Sequence, residues 1–235
     1  MHPFITSVRF YSRNIESLLL LSVTLVLPFL LLYSTAMNHI YFYASISNMP
    51  LISATYNVAF IVWFLYIAQL PFARFVQSDF EGEENRLRSA YYTFFRYGFS
   101  VFLFGFFYMI SVVVGMYLFI IPGMIVFVFF YITPCIVAFK NEPAWKCWNN
   151  AFSLGKKYFF PLLGLILLTG FIEWLISMAG LYGVMALTSK YNAVFITQLL
   201  LFIIVFPLIA VTFAVYTRNW AEETFLNHPI EKEGA

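Results

Sequence analysis

The sequence predicts an all-α, polytopic transmembrane helical bundle of about six spans arranged as three hairpins, and three observations predict it. First, of 235 residues 62% are hydrophobic and only 10% charged, with a mean hydropathy of +0.84. A soluble domain carries roughly 25% charged and about 45–50% apolar residues, so this chain lacks the polar surface that a water-facing exterior needs. Second, the apolar residues form runs of about 20, the length of helix that crosses a hydrocarbon core. Third, the cations collect on alternate loops. Residues 1–235 read as a single integral membrane domain.

Hydropathy places the spans at about 17–37, 54–73, 97–119, 124–139, 159–181 and 193–216, with 217–235 as a cytoplasmic tail. The first, SLLLLSVTLVLPFLLLYSTAM, carries no charge. Arg9 and Arg13, this run and Ser34-Thr35-Ala36 loosely mimic a cleavable signal peptide. The run is longer than a usual signal h-region, so an uncleaved first span is expected. The stretch from Tyr97 to Phe139 is too long for one crossing, and Pro122-Gly123 sits where a hairpin would turn. It reads as two helices with a very short outer turn, their phenylalanines facing lipid.

Orientation follows from the basic residues. One set of loops holds Arg9, Arg13, Arg74, Arg86, Arg88, Arg96, Lys140, Lys146, Lys156, Lys157, Arg218 and Lys232, and the other holds only Lys190. The basic side is the cytoplasmic one, which puts both termini in the cytoplasm and the protein in the cell (plasma or inner) membrane.

The segments preceding each hairpin have helical period. Phe4, Val8, Tyr11 and Ile15 share one face, as do Leu87, Tyr91 and Phe94, with Glu84 and Arg88 at i,i+4 spacing. In the third segment Trp145, Trp148 and Phe152 align, while Lys146, Asn149, Asn150, Ser153, Lys156 and Lys157 supply polarity. Asn141 or Glu142 is placed to cap that helix, with Pro143 in its first turn. Such helices lie along a membrane surface, aromatic side inward and cations toward phosphate. Ala90-Tyr91 before Arg96-Tyr97 and Ala151-Phe152 before Lys157-Tyr158 repeat at identical spacing, which suggests three units of surface helix plus hairpin.

Phe119 to Leu168 contains Ile120-Ile121-Pro122-Gly123, Pro134 about a helix later, a basic linker with Ala151 and Ser153, and a restart at Phe160-Pro161-Leu162-Leu163-Gly164-Leu165. This stretch resembles a superfamily of bacterial six-span membrane proteins. It includes the YciC-like proteins and the membrane domain fused to some glycerophosphodiester phosphodiesterases. The resemblance implies architecture rather than chemistry. No phosphodiesterase domain is present in the sequence, and no catalytic residues carry over.

Glu173 is the one ionisable residue well inside a span, and Thr169, Glu173 and Ser177 form a polar stripe at i+4 steps. An ionisable group in lipid is a functional candidate by default. Gln198 falls at similar depth on the next span, so Glu173 and Gln198 form a candidate intramembrane pair, nearer the outer face than the midplane. Such a pair either couples transport or simply locks a hairpin, and the hairpin lock is the preferred reading. Pro28, Pro134 and Pro207 lie inside spans, as proline does in many ordinary membrane helices. Asp79, Glu81, Glu83 and Glu84 crowd one loop without the spacing of a calcium site. Cys135 and Cys147 lack a CxxC partner and read as free thiols. His2, His39 and His228 are scattered, and no GxSxG, Walker-type or HExxH pattern occurs.

No enzyme activity, cofactor, metal or nucleic-acid partner is therefore expected. The expectation is a non-enzymatic module that binds lipid or another membrane protein. Trp145, Lys146, Trp148, Lys156 and Lys157 are its candidate contacts to anionic headgroups or a partner. A small-solute transporter or transporter subunit using Glu173 is the alternative. The orientation predicts that reporter fusions within 79–96 and at Lys190 report opposite sides of the membrane; a shared side would overturn it.

Overall fold

The structure is a computed structural model that describes residues 3–47 and 49–225. Among these residues there are helices and turns and no strand. The chain runs through α1 (Pro3–Arg13), α2 (Ile15–Leu21), a π-helical turn (Ser22–Val26) and α3 (Leu27–Ile46). It continues through α4 (Pro50–Phe80), α5 (Arg86–Leu118), α6 (Ile120–Phe130) and α7 (Thr133–Lys140), then α8 (Ala144–Lys157), α9 (Phe159–Leu187) and α10 (Tyr191–Phe225). Six stretches are long and apolar enough to cross a membrane: Ile15–Ile46, Leu51–Phe80, Arg86–Leu118, Ile120–Lys140, Phe159–Leu187 and Tyr191–Thr224. The chain is a multi-pass membrane protein. His2, His228, Lys232 and the last ten residues of the expected tail lie outside the described residues.

Most helices outrun their hydropathy windows. At ~1.5 Å per residue, α5 is about 50 Å long against a hydrocarbon core of ~30 Å, so its basic first turns project beyond the apolar zone. The expected surface segment at 86–96 is thus no separate helix but the start of α5. The other two are separate: α1 ends at Asn14, and α8 ends at Tyr158 with φ −110° and ψ 31°. Likewise α10 continues past residue 216 to Phe225 where a tail was expected.

The hairpin between the third and fourth spans turns earlier than Pro122-Gly123. Phe119, extended at φ −157° and ψ 134°, breaks the helix, and Pro122 and Gly123 fall within the first turn of α6. Their role is close approach. A Cβ on Gly123 would stand 2.5 Å from the Met116 backbone nitrogen, and one on Gly115 would stand 2.9 Å from the Gly123 Cα. Lipid provides little hydrophobic drive between helices, so such backbone contacts carry the packing.

The fourth span also differs from expectation. It is the most enclosed of the six, with half of its apolar window buried. Thr133, Pro134, Cys135, Ile136, Val137 and Ala138 of α7 are all buried. Proline in the first turn of α7 follows a break at Ile132, which lets the chain redirect without leaving an interior amide unpaired. Around this short helix sit Tyr66, Tyr108, Tyr131 and Phe213. Their ring centroids are 4.8 Å apart in the pairs Tyr66–Tyr108 and Tyr131–Phe213. Only part of the aromatic content faces lipid.

Asn141 closes α7 in the left-handed region at φ 52°, a conformation asparagine tolerates better than most residues. It therefore does not cap α8, whose N-cap is Pro143. The Ala144 amide instead donates to Ser100 Oγ of α5 at 3.0 Å. α8 then lies so close to α6 that a Cβ on Gly155 would meet the Phe129 carbonyl oxygen at 2.6 Å. Gly123→Val is expected to destabilise the protein by about 2 kcal/mol or more, because the Met116 nitrogen and Gly115 carbonyl carbon, both backbone, stand within 2.9 Å of the added Cβ and cannot rotate away. Thermal melting in detergent reads this directly, and an unchanged midpoint would remove the close-packed hairpin as a stabilising feature.

Candidate functional site

Two polar regions stand out, one at the basic end of the bundle and one among the spans. At the basic end the acidic loop is taken up by arginines. Asp79 accepts from Arg13 Nη2 at 2.6 Å and pairs through its other oxygen with Arg86, which also donates to Asn14 Oδ1 at 3.2 Å. Arg74 is buried, its side chain 7% exposed. It donates from Nε to Ser89 Oγ at 2.8 Å and from Nη2 to Glu83. Its Nη1 lies 3.2 Å from Glu81 Oε2, an ion pair without hydrogen-bond geometry. The pairs join α1, α4 and α5.

Burial raises the Glu83 carboxyl, but the neighbouring Ser78 and Ser89 hydroxyls and the Arg74 charge outweigh that, so its pKa falls below the ordinary value. With three arginines on these carboxylates, the loop is a strut rather than an open ligand cage. No group of three or more His, Cys, Asp and Glu fit for a metal ion occurs among the described residues. The pair suggested by Glu84 and Arg88 is not formed; Asp79, Glu81 and Glu83 carry the ion pairs instead.

Sequence analysis missed the burial of Arg74, since it lies at the edge of the second hydropathy window. The carboxylates at Glu81 and Glu83, one to three turns on, were the available signal. The far end of the chain joins the same region. Arg218 sits 3.6 Å from the Phe80 ring centroid, and Tyr158, stacked on Trp220 at 5.1 Å, donates to Glu223 Oε2 at 2.7 Å.

α8 presents three sectors. At about 100° per residue, Ala144, Cys147, Ala151, Leu154 and Gly155 share the face buried against the bundle. Trp145, Trp148 and Phe152 form a second sector beside it, 46%, 44% and 40% exposed. Lys146, Asn149, Ser153, Lys156 and Lys157 occupy a third and are exposed. The structure therefore brings the five candidate contact residues onto one short helix. Lys157 also donates to Thr224 of α10 at 3.1 Å. Both cysteines are free and buried, and burial pushes the Cys147 thiol up to about 11.

The second region is a cavity of about 610 Å³ between α3, α4, α6, α9 and α10. Glu173, Ser177 and Gln198 line it together, but the expected direct pair is replaced by a relay. Ser177 Oγ donates to Glu173 Oε1 at 2.9 Å, and Gln198 Nε2 donates to the Ser177 backbone carbonyl at 2.8 Å. Glu173 is the middle residue of α9, which runs from Phe159 to Leu187. Thr169 turns its hydroxyl back to the Leu165 carbonyl at 2.8 Å. Facing them are Tyr33, Asn38 and Tyr41 of α3. Tyr33 donates to Asn57 Oδ1 at 2.5 Å, and Asn57 Nδ2 donates to Tyr41 at 3.0 Å. The spacing of Tyr33 and Tyr41, two helical steps of four, was the sequence signal for this wall.

The prolines are accommodated locally. Pro28 follows the π-helical turn at Ser22–Val26, a common remedy for a distorted hydrogen-bond ladder. Pro207 lies inside α10, and Tyr11 of α1 donates to the nearby Ile204 carbonyl at 2.9 Å.

Fold and site together define the class: a six-span α-helical membrane protein with a basic, ion-paired end and a polar-lined cavity among its spans. No family model, curated protein or solved structure matches the chain.

The lowered Glu83 pKa has a pH signature. A depressed carboxyl stabilises the fold above its unfolded value of roughly 4.3 and loses that contribution as the pH falls through the folded value. Thermal melts across pH 3–6 should show stability dropping in acid, and Glu83→Gln should flatten the drop while lowering the neutral-pH midpoint; equal slopes in both proteins would rule this origin out.

Proposed function

We propose that the chain is a non-enzymatic membrane module of the bacterial inner membrane whose basic, cytoplasmic end binds anionic lipid headgroups. The carrying observation is the three-sector division of α8. A helix with one face packed on protein, one aromatic and one cationic matches a boundary shared by protein, hydrocarbon and headgroups. Tryptophan favours that depth because its ring is amphipathic. Lys146 and Lys156 project from the polar sector, and each cation near an anionic surface contributes about 1 kcal/mol. Arg88 and Arg96, also exposed, extend the basic surface along α5. Arg96 is steadied by Tyr92 and Tyr97, with its guanidinium 5.6 Å and 5.3 Å from their ring centroids.

The bias of 12 basic residues to one side supports the inward orientation. Membership of the YciC-like superfamily is part of the same proposal. It rests on the Phe119–Leu168 resemblance, whose Gly123 and Gly155 are the residues that permit close packing in that unit.

Charge reversal at Lys146 and Lys156 is expected to reduce the preference for phosphatidylglycerol over phosphatidylcholine by about tenfold or more. Spin-labelled lipids in mixed bilayers measure that selectivity. An unchanged preference in the folded double variant would overturn the proposal.

A further inference from the structure

We propose that the cavity among the spans is a binding site for an amphiphile with a protonated amine head, held at Glu173 with its hydrocarbon tail among the surrounding aromatic rings. This inference is independent of the headgroup contacts at the basic end. The cavity, at about 610 Å³, is the size that takes a drug-sized molecule. Its walls divide by chemistry. Glu173, Ser177, Gln198, Tyr33, Asn38 and Tyr41 form a polar side, and Phe64, Phe127, Phe202 and Phe206 supply an apolar one.

Charge decides the class of ligand. Glu173 receives one hydrogen bond from Ser177, while the Gln198 amide is directed to a backbone carbonyl. Among the described residues no lysine, arginine or histidine lines the cavity. A carboxylate in a medium of low dielectric is costly without a counter-charge, and an ammonium head supplies that charge with up to three donors. Tyr33 and Tyr41 add ring faces and hydroxyl oxygens that also favour a cation. A fatty acid or other anionic amphiphile meets the carboxylate with like charge, and a plain alcohol leaves it unpaired.

The half of α9 that carries Glu173 is tied to α10 through Gln198 and the Ser177 carbonyl but has no buried side chain beyond Thr169. The buried residues of α9 are Leu162, Leu165 and Thr169, all in its first half. Beyond Thr169 the helix borders α10, the cavity and, on its exposed face, the lipid, which gives a tail a lateral route from the bilayer.

The test uses the full chain in phosphatidylcholine nanodiscs with tritiated dodecylamine as probe and empty discs as the blank. Saturable binding, displaced by unlabelled dodecylamine and not by dodecanol or dodecanoate, is expected. Glu173→Gln should weaken it about tenfold or more. Gly170→Leu is the second variant. Gly170 lines the cavity, and a Cβ there meets nothing within 4 Å, so leucine fills the space while improving helix propensity. It should block binding with the melting temperature kept or raised. Discs containing phosphatidylethanolamine distinguish the source of the amine: displacement of the probe marks a lipid headgroup, and none marks a phosphate-free amine. Equal displacement by dodecanol, undiminished binding by Glu173→Gln, or undiminished binding by a folded Gly170→Leu would each overturn the proposal.

Discussion

A charge in a medium of low dielectric must find a counter-charge or water, and the arrangement of this bundle follows from that requirement. The ion pairs joining the chain's helices lie at one end, where α4 and α5 extend past the apolar zone. Arg74 shows the cost most clearly. Its guanidinium is buried, so removal of its partners would strand a cation, whereas exposed pairs contribute little. Glu81, Glu83 and Ser89 surround it from the loop and the next helix. The same contacts therefore fix the α4–α5 turn and solvate the charge.

Between the ends, cohesion has a different source. Apolar side chains gain little by leaving lipid for one another, so shape and backbone proximity hold the spans together. Gly115 against Gly123 and Gly155 against Phe129 bring main chains into contact. The short α7, buried from Thr133 to Ala138, occupies the centre, with tyrosines packed around it. Two polar side chains nearby find main-chain acceptors: Tyr108 donates to the Phe127 carbonyl at 2.8 Å, and Trp63 to the Phe102 carbonyl at 3.1 Å. Each tie satisfies a donor that hydrocarbon would leave unpaired.

The number of spans was legible in the sequence because hydropathy and length are local properties. The turn at Phe119 was not, since Pro122-Gly123 has the composition of a loop yet is used for helix contact, and only tertiary structure distinguishes the two uses. Burial was legible only in part. Hydropathy treats Ile136 and Ile120 alike, but the first is 2% exposed and the second 70%. Lipid and protein interior are equally apolar, so composition cannot separate them. The polar stripe Thr169, Glu173 and Ser177 was visible from its spacing, while its partner Gln198 reaches the stripe through the Ser177 carbonyl. A backbone acceptor leaves no trace in a side-chain pattern.

That relay matters for how Glu173 is interpreted. A direct bond from Gln198 would have made the carboxylate itself part of the tie between α9 and α10. With the amide directed to the main chain, α9 and α10 are tied together without consuming Glu173, whose remaining acceptor capacity faces a cavity. Locking and binding are thus assigned to different atoms of one cluster. The hairpin holds through Gln198 and the Ser177 carbonyl, and close approach of Gly180 to Leu201 reinforces it. The hydrogen bond that the carboxylate accepts, from Ser177, stays within α9. In a chain whose inter-helix ion pairs lie at its basic end, Glu173 stands apart at the middle of α9, facing the cavity.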